Sequence, residues 1–158
     1  MFRQRTSPSS VLRSARLLAV SVLVGLGGVP LSALSLDKVE VDVTSASMEP
    51  TIHVGTKVHI SPSAKRLRRR DVVYLEDGTI KRLVGLPGDA ISCQNGLVVV
   101  NKVSQTEPYL APPGITKCSP IGLKHDEYFV LGDNRSNSND SRFKGPVHRS
   151  AILGLVLR

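Results

Sequence analysis

From Leu17 to Leu36 the chain runs without a single charged side chain, LLAVSVLVGLGGVPLSALSL. About 20 apolar residues is the length of helix that crosses a bilayer. This run therefore divides a short basic leader from whatever must fold in water. Gly25, Gly27, Gly28 and Pro30 would weaken a helix in water, whereas helices in membranes tolerate them. Arg3, Arg5, Arg13 and Arg16 precede the run with no acid among them, and half of the net charge of +8 lies there. The positive-inside rule then predicts a cytoplasmic segment over 1–16, a transmembrane anchor over 17–36 and an extracytoplasmic domain over 37–158. A cleaved signal peptide ending near LSALS and an organellar transit peptide are the two other readings that the leader's residues allow.

Beyond residue 36 the hydrophobic pattern has a period of two. In KVEVDVTS, Val39, Val41 and Val43 alternate with Glu40, Asp42 and Thr44, which predicts a strand. Further strands are predicted over TKVHIS, DVVYLE, TIKRLVGL, EYFVLGDN and AILGLVLR, the last too short to span a bilayer. Two more flank Asn95–Gly96 in AISCQNGLVVVNK, and Asp77–Gly78 is a second hairpin signal. SMEPT reads as a turn, because Pro50 fixes its own φ and pushes Glu49 away from helix. Residues 103–122 hold Pro108, Pro112, Pro113 and Pro120 and read as a long loop, and RSNSNDSRFKGPV reads as a polar connection. The expected fold class is mostly β: an antiparallel sheet or partly open barrel, its register set chiefly by hairpins, behind one N-terminal transmembrane helix.

Composition excludes several functions. A nucleic-acid domain carries its basic patch on the folded part, whereas half of this excess sits on the leader. The basic loop SPSAKRLRRR is solvated or touches anionic lipid headgroups. His53, His59, His125 and His148 are scattered without ligand spacing, so no metal and no cofactor is expected. Cys93 and Cys118 are the only cysteines. In an oxidising compartment they can pair, and the sequence leaves open whether they do or remain two free thiols.

The candidate chemistry begins at TSASMEPT, where Ser45 and Ser47 stand in a tight turn. A serine hydroxyl attacks poorly until a base takes its proton. A histidine base is possible by counting alone. A lysine serves if burial keeps it neutral, and Lys81, between Ile80 and Arg82-Leu83-Val84, has the most apolar neighbourhood of the lysines. Successive strand residues face opposite ways, so Lys81 and Arg82 cannot share a site, and arginine does not give up its proton. A lysine reaching out from a strand edge is the competing account.

Four blocks in order resemble the type I signal peptidase family, the Ser–Lys membrane endopeptidases: an anchor; SASMEPT; RRRDVVYL leading to GTIKRLVGLPGD; and LGDNRSNSNDSRFKGPV. The resemblance implies a β-rich catalytic domain on the outer face of the plasma membrane, with an organellar inner membrane or thylakoid as the alternative. It implies cleavage of signal peptides from exported preproteins after small residues. It makes Ser47 the nucleophile and Lys81 the general base. Ser45, with the backbone N–H of Ser47, would face the oxyanion, and Ser138 would orient the base. Asp140 and Arg142 would form a supporting ion pair, and Gly132, Asp133 and Asn134 the glycine-containing turn beside the dyad. Two positions depart from the family pattern: Thr56 replaces a frequent aspartate and Arg70 a frequent glycine, which puts the local turn geometry in question. The expected partners are preproteins and the lipid bilayer. An inactive anchored domain that binds extended peptides, and a peptidase devoted to a single substrate, are the competing functions.

Overall fold

The hairpin signals become turns. Asn95 and Gly96 both take positive φ, 50° and 81°, the left-handed pair that a two-residue hairpin with right-handed strand twist requires. They join β5 (Ala90–Gln94) to β6 (Leu97–Val100), which turns again into β7 (Val103–Ser104). At Asp77–Gly78 the backbone closes through Leu75 N–H to Thr79 O at 2.9 Å and Gly78 N–H to Leu75 O at 3.0 Å. That turn joins β3 (Val72–Leu75) to β4 (Ile80–Gly85).

The structure is a computed structural model and describes residues 38–62 and 66–157. The leader and span expected over 1–36, and part of the basic loop after Pro62, lie outside these residues. Among the described residues no helix is long and apolar enough to cross a membrane.

The remaining strands are β1 (Val39–Asp42), β2 (Lys57–Ser61), β8 (Ile121–Gly122), β9 (Glu127–Leu131), β10 (Val147–His148) and β11 (Ile152–Leu157). They form a seven-stranded sheet in the order β1-β2-β11-β3-β4-β9-β10 and a four-stranded sheet in the order β7-β6-β5-β8. Every pairing is antiparallel. The larger sheet is open, with β1 and β10 at its edges. The mostly-β expectation holds. The expectation that hairpins set most of the register holds only in part: five of the nine pairings among the described residues join consecutive strands, but β11 inserts between β2 and β3, and β9 pairs with β4 although the whole smaller sheet intervenes in the chain. Alternation within a strand says which side chains are buried and nothing about which distant strand lies alongside.

Three apolar clusters hold the fold. One gathers Val43, Met48, Ile52, Val58, Ile60, Val72 and Ile80 beneath the serine turn. A second packs Val73, Leu75, Leu83, Val130 and Ile152 across β3, β4, β9 and β11. The third joins the two sheets through Val84, Ile91, Val98, Val100, Leu123, Phe129 and Leu131. Cys93 and Cys118 are joined in a disulfide and pack against that third cluster.

The stretch 103–122, expected as one loop, begins in β7 and ends in β8, and the part between them is tied down along its length. Glu107 pairs with Arg135, Tyr109 lies under Arg82 with its ring centroid 4.0 Å from the guanidinium carbon, and Thr116 is buried. The polar connection holds a one-turn helix α1 (Ser141–Lys144), too short for any helical period to show in the sequence. Arg70 adopts φ 76°, the left-handed backbone for which glycine is suited. Its turn keeps a glycine-like shape because its N–H donates to Leu83 O and its carbonyl accepts from Arg82 Nη1, both at 2.8 Å. Thr56 closes its own turn, its hydroxyl donating to His53 O at 2.5 Å.

Candidate active site

The serine turn is built by a capping residue and an anchor. Ser45, in extended backbone, caps a single 3₁₀ turn over Ala46–Met48 and accepts from Ser47 N–H at 3.3 Å. Met48 is 1% exposed and fills the core below, a burial that contributes about 1.5–3 kcal/mol. Pinning Met48 leaves Ser47 at the end of a fixed lever. Asn134 holds the turn from the other side: its N–H donates to Ser47 O at 3.0 Å and its side-chain amide to Ala46 O at 3.3 Å.

Lys81 reaches this turn from β4. That strand runs between β3 and β9 and is buried at all six positions, so the lysine is no strand-edge residue. Its cross-strand partner is Val73. Lys81 is 3% exposed, with Nζ 2.9 Å from Ser47 Oγ and 3.0 Å from Ile80 O. Burial pushes its pKa below the ordinary lysine value, Lys144 adds to that effect, and the carboxylates of Asp140 and Asp77 oppose it. A 2.9 Å N···O contact equally suits a serine O–H donating to a neutral amine, which is the arrangement that a proton transfer needs.

Arg82, the next residue, points the other way and is fully paired. Its Nε donates to Asp133 Oδ1 at 2.8 Å and its Nη2 to Asp133 Oδ2 at 2.6 Å. Thr51 Oγ1 also donates to Asp133, at 2.5 Å. Asp133 thus belongs to a bidentate buried pair that ties β4 to the chain following β9. Gly132, one residue earlier, is required by space. A Cβ there would stand 2.5 Å from Ser47 O and would press on Ser138 Oγ.

Ser138, expected to orient Lys81, donates instead to Asp140 Oδ2 at 2.7 Å, and no hydrogen bond joins it to Lys81 among the described residues. Asp140 is the hub of that segment. It accepts from Arg142 Nε at 2.8 Å, from Arg142 Nη2 at 2.9 Å and from Gly132 N–H at 3.0 Å. Burial by itself would raise the Asp140 pKa, and the bonds from Arg142, Gly132 and Ser138 outweigh it and hold the carboxyl below the usual carboxylate range. Arg142 also donates to Ser138 O at 3.2 Å. Ser138 is thus tied to the carboxylate two residues along, in the segment that lines the small cavity with Lys81.

Two spaces converge on the Ser47–Lys81 contact. A cleft of about 210 Å³ runs between residues 41–48 and residues 77–80. A smaller cavity of about 30 Å³ is lined by Lys81 itself, with Asp77, Thr79, Val130, Asn139, Asp140 and Lys144 among others. Among the described residues no group of three or more His, Cys, Asp or Glu side chains is arranged to hold a metal.

Comparisons with known proteins give the family of the chain. The family model described as "Signal peptidase, peptidase S26" matches residues 15–157. The chain belongs to the signal peptidase, peptidase S26, family. It is 37% identical over 126 residues to a probable signal peptidase I-2 of Synechocystis, covering 71% of this chain and 58% of that one. It is 35% identical over 116 residues to a signal peptidase I of Bacillus amyloliquefaciens, covering 63% of each. The crystal structure of a signal peptidase I from Enterococcus faecalis superposes with a TM-score of 0.52 at 30% identity, covering 59% of this chain and 98% of the other. The chain therefore matches less than two thirds of the length of these two curated relatives.

Sequence reasoning did not find Arg82, Glu107 and Arg135 as parts of the site's support. Arg135 donates to Gly132 O at 3.0 Å and pairs with Glu107 at 2.5 Å, and so holds the Gly132 turn from outside. The one available signal was Arg82 itself, a charge of fixed protonation inside an apolar strand that demands a buried carboxylate somewhere.

Proposed function

We propose that this chain is a membrane-anchored serine endopeptidase that removes signal peptides from exported preproteins after small residues. Ser47 is the nucleophile and Lys81 the general base. The observation that carries the reading is the 2.9 Å contact between Lys81 Nζ and Ser47 Oγ at a site where both residues are buried. Residues 1–16 remain in the cytoplasm, 17–36 anchor the chain, and the domain from residue 37 works on the outer face of the plasma membrane. Anchoring confines enzyme and substrate to one surface, which raises their effective concentration without any new contact.

The substrate lies extended in the cleft between residues 41–48 and 77–80, adding its main-chain hydrogen bonds to the exposed backbone there. Neutral Lys81 takes the Ser47 proton as Oγ attacks the scissile carbonyl. The oxyanion receives Ser47 N–H and the Ser45 hydroxyl, two groups that face each other at 3.3 Å and separate to admit it. Lys81 then gives its proton to the leaving amine, and the new N-terminus departs. A water attacks the acyl-enzyme, Lys81 takes the proton of that water, and it is returned to Ser47 Oγ as the ester breaks. Asp140, Arg142 and Ser138 keep the segment beside Lys81 in place, and Gly132 allows the serine turn to approach it.

Incubating the full chain in detergent with a preprotein, beside Ser47→Ala and Lys81→Ala, tests the reading. Product with a new N-terminus after a small residue is expected from the wild type alone, while both variants still bind the preprotein. Cleavage by Lys81→Ala at the wild-type rate would remove the base. Because only neutral Lys81 accepts a proton, the rate rises with pH through the lowered lysine pKa.

A further inference from the structure

The mechanism above leaves one ion pair unused. Lys144 Nζ stands 3.0 Å from Asp77 Oδ2, joining the last residue of α1 to the turn between β3 and β4. Both residues line the small cavity that Lys81 also lines, and Asp77 lines the substrate cleft as well. The pair is half-exposed, with side-chain exposures of 50% and 41%. An ion pair in that setting contributes little to stability. Its placement at the cavity that the proposed base also lines is therefore better explained by what it does to the base.

We propose that Asp77 and Lys144 are a positioning pair that acts on the cleavage reaction through Lys81. This rests on the reading of Lys81 as the base. Among the described residues, three charged groups act on Lys81: Asp140, Asp77 and Lys144. Asp140 and Lys144 come from the α1 segment and Asp77 from the β3–β4 turn, while β3 presents Val73 and Leu75 and β9 presents Val130, none of them charged. The serine turn contributes Ser47, which carries no charge. Asp140 is charged and favours a protonated Lys81 more than Asp77 does, but its bidentate bond to Arg142 and its bond to Gly132 N–H fix it in the scaffold. Asp77 and Lys144 are left as the adjustable charges, and they act in opposite senses: the carboxylate favours a protonated Lys81 and the ammonium disfavours it. Asp77 is held ionised by the donors around it. Its burial would raise its pKa, but Thr79 N–H and Oγ1, at 3.1 and 2.7 Å, together with Lys144, bring it below the usual carboxylate value. The pair thus places two compensating charges beside an amine that must be neutral to work.

The test is the pH dependence of kcat/KM for preprotein cleavage by the full chain in detergent. Wild type is compared with Asp77→Asn, Lys144→Met, the double variant and Lys81→Ala. The amide of Asp77→Asn still offers an oxygen to Thr79, and Lys144→Met keeps an unbranched apolar stem, so the local fold survives either change. Asp77→Asn moves the midpoint of the rising limb to lower pH, and Lys144→Met moves it to higher pH. The double variant returns close to wild type. On the limb one pH unit below the wild-type midpoint, the first variant is about threefold faster and the second about threefold slower, the scale of a unit charge several ångströms away in a partly solvated site. A merely structural tie changes the rate at all pH values and leaves the midpoint where it was. Unmoved midpoints, or shifts of the same sign in both single variants, overturn the pair while Lys81→Ala remains inactive. Wild-type activity in Lys81→Ala overturns the dyad itself and the pair with it.

Discussion

Lys81 and Arg82 are neighbours on one strand, equally buried at 3% and 4% exposure, and they have opposite surroundings. Arg82 is met by both oxygens of Asp133, by the carbonyl of Arg70 and by the face of Tyr109. Every donor direction it uses ends on a fixed acceptor. Lys81 is met by an alcohol and a carbonyl, and the nearby carboxylates of Asp140 and Asp77 are each held by another cation. The difference teaches how a sheet carries two charges into its interior for two purposes. A cation whose partner is matched and buried becomes a fastener. A cation whose partners are already taken is pressed toward its neutral form, and in a lysine that form is a base.

The contrast is broken most severely by making the two alike. Lys81→Arg keeps a cation of similar reach and removes the option of neutrality. Cleavage should fall by about 10²–10⁴-fold at every pH, measured as kcat/KM on a preprotein. The reverse alteration is Arg82→Met, which strands the Asp133 carboxylate in the interior. Unfolding by urea should show a loss of about 3–5 kcal/mol, the usual consequence of breaking a buried pair from one side. The smallest effect sharpens the comparison. Lys81→Met removes an amine whose folded pKa is lowered by burial and which therefore opposes folding wherever the unfolded chain would be protonated. Above the ordinary lysine value of 10.5 the variant and wild type should melt together. As pH falls from there to the folded pKa the variant should become progressively the more stable, and below the folded pKa the gap should stay constant. A Lys81→Met variant that melts below wild type at neutral pH would show that the amine is stabilised where it lies.

Much of this contrast is legible without any coordinates. The strand pattern around Lys81 and Arg82, the hairpin dipeptides and the serine turn all depend on interactions within a few residues, and local patterning encodes them. What fails to show is long-range. The carboxylate of Asp133 lies 51 residues from Arg82, and nothing in KRLVG specifies it. Glu107 and Arg135 meet across 28 residues, so a proline-rich stretch that reads as a plain loop is in fact fastened at several points. The family pattern puts Ser138 on the lysine because a motif assigns residues to positions. Whether its hydroxyl turns to the amine or to Asp140 is decided by fine geometry, which no motif contains. The paired cysteines lie between these cases: composition allows them to join, and only the packing of residue 118 against β5 brings them together.

The position of β11 has a consequence for how the molecule comes into being. The serine turn hangs from the β1–β2 arm and the lysine from the β3–β4 arm, and these arms have no shared backbone ladder except the one that β11 supplies to each. Without β11 the two arms would meet only through side chains, the apolar cluster that both line and the Asp133 carboxylate that takes both Thr51 and Arg82. The strand that locks the backbones of the two arms into one register is thus the last of the eleven described strands to be synthesised.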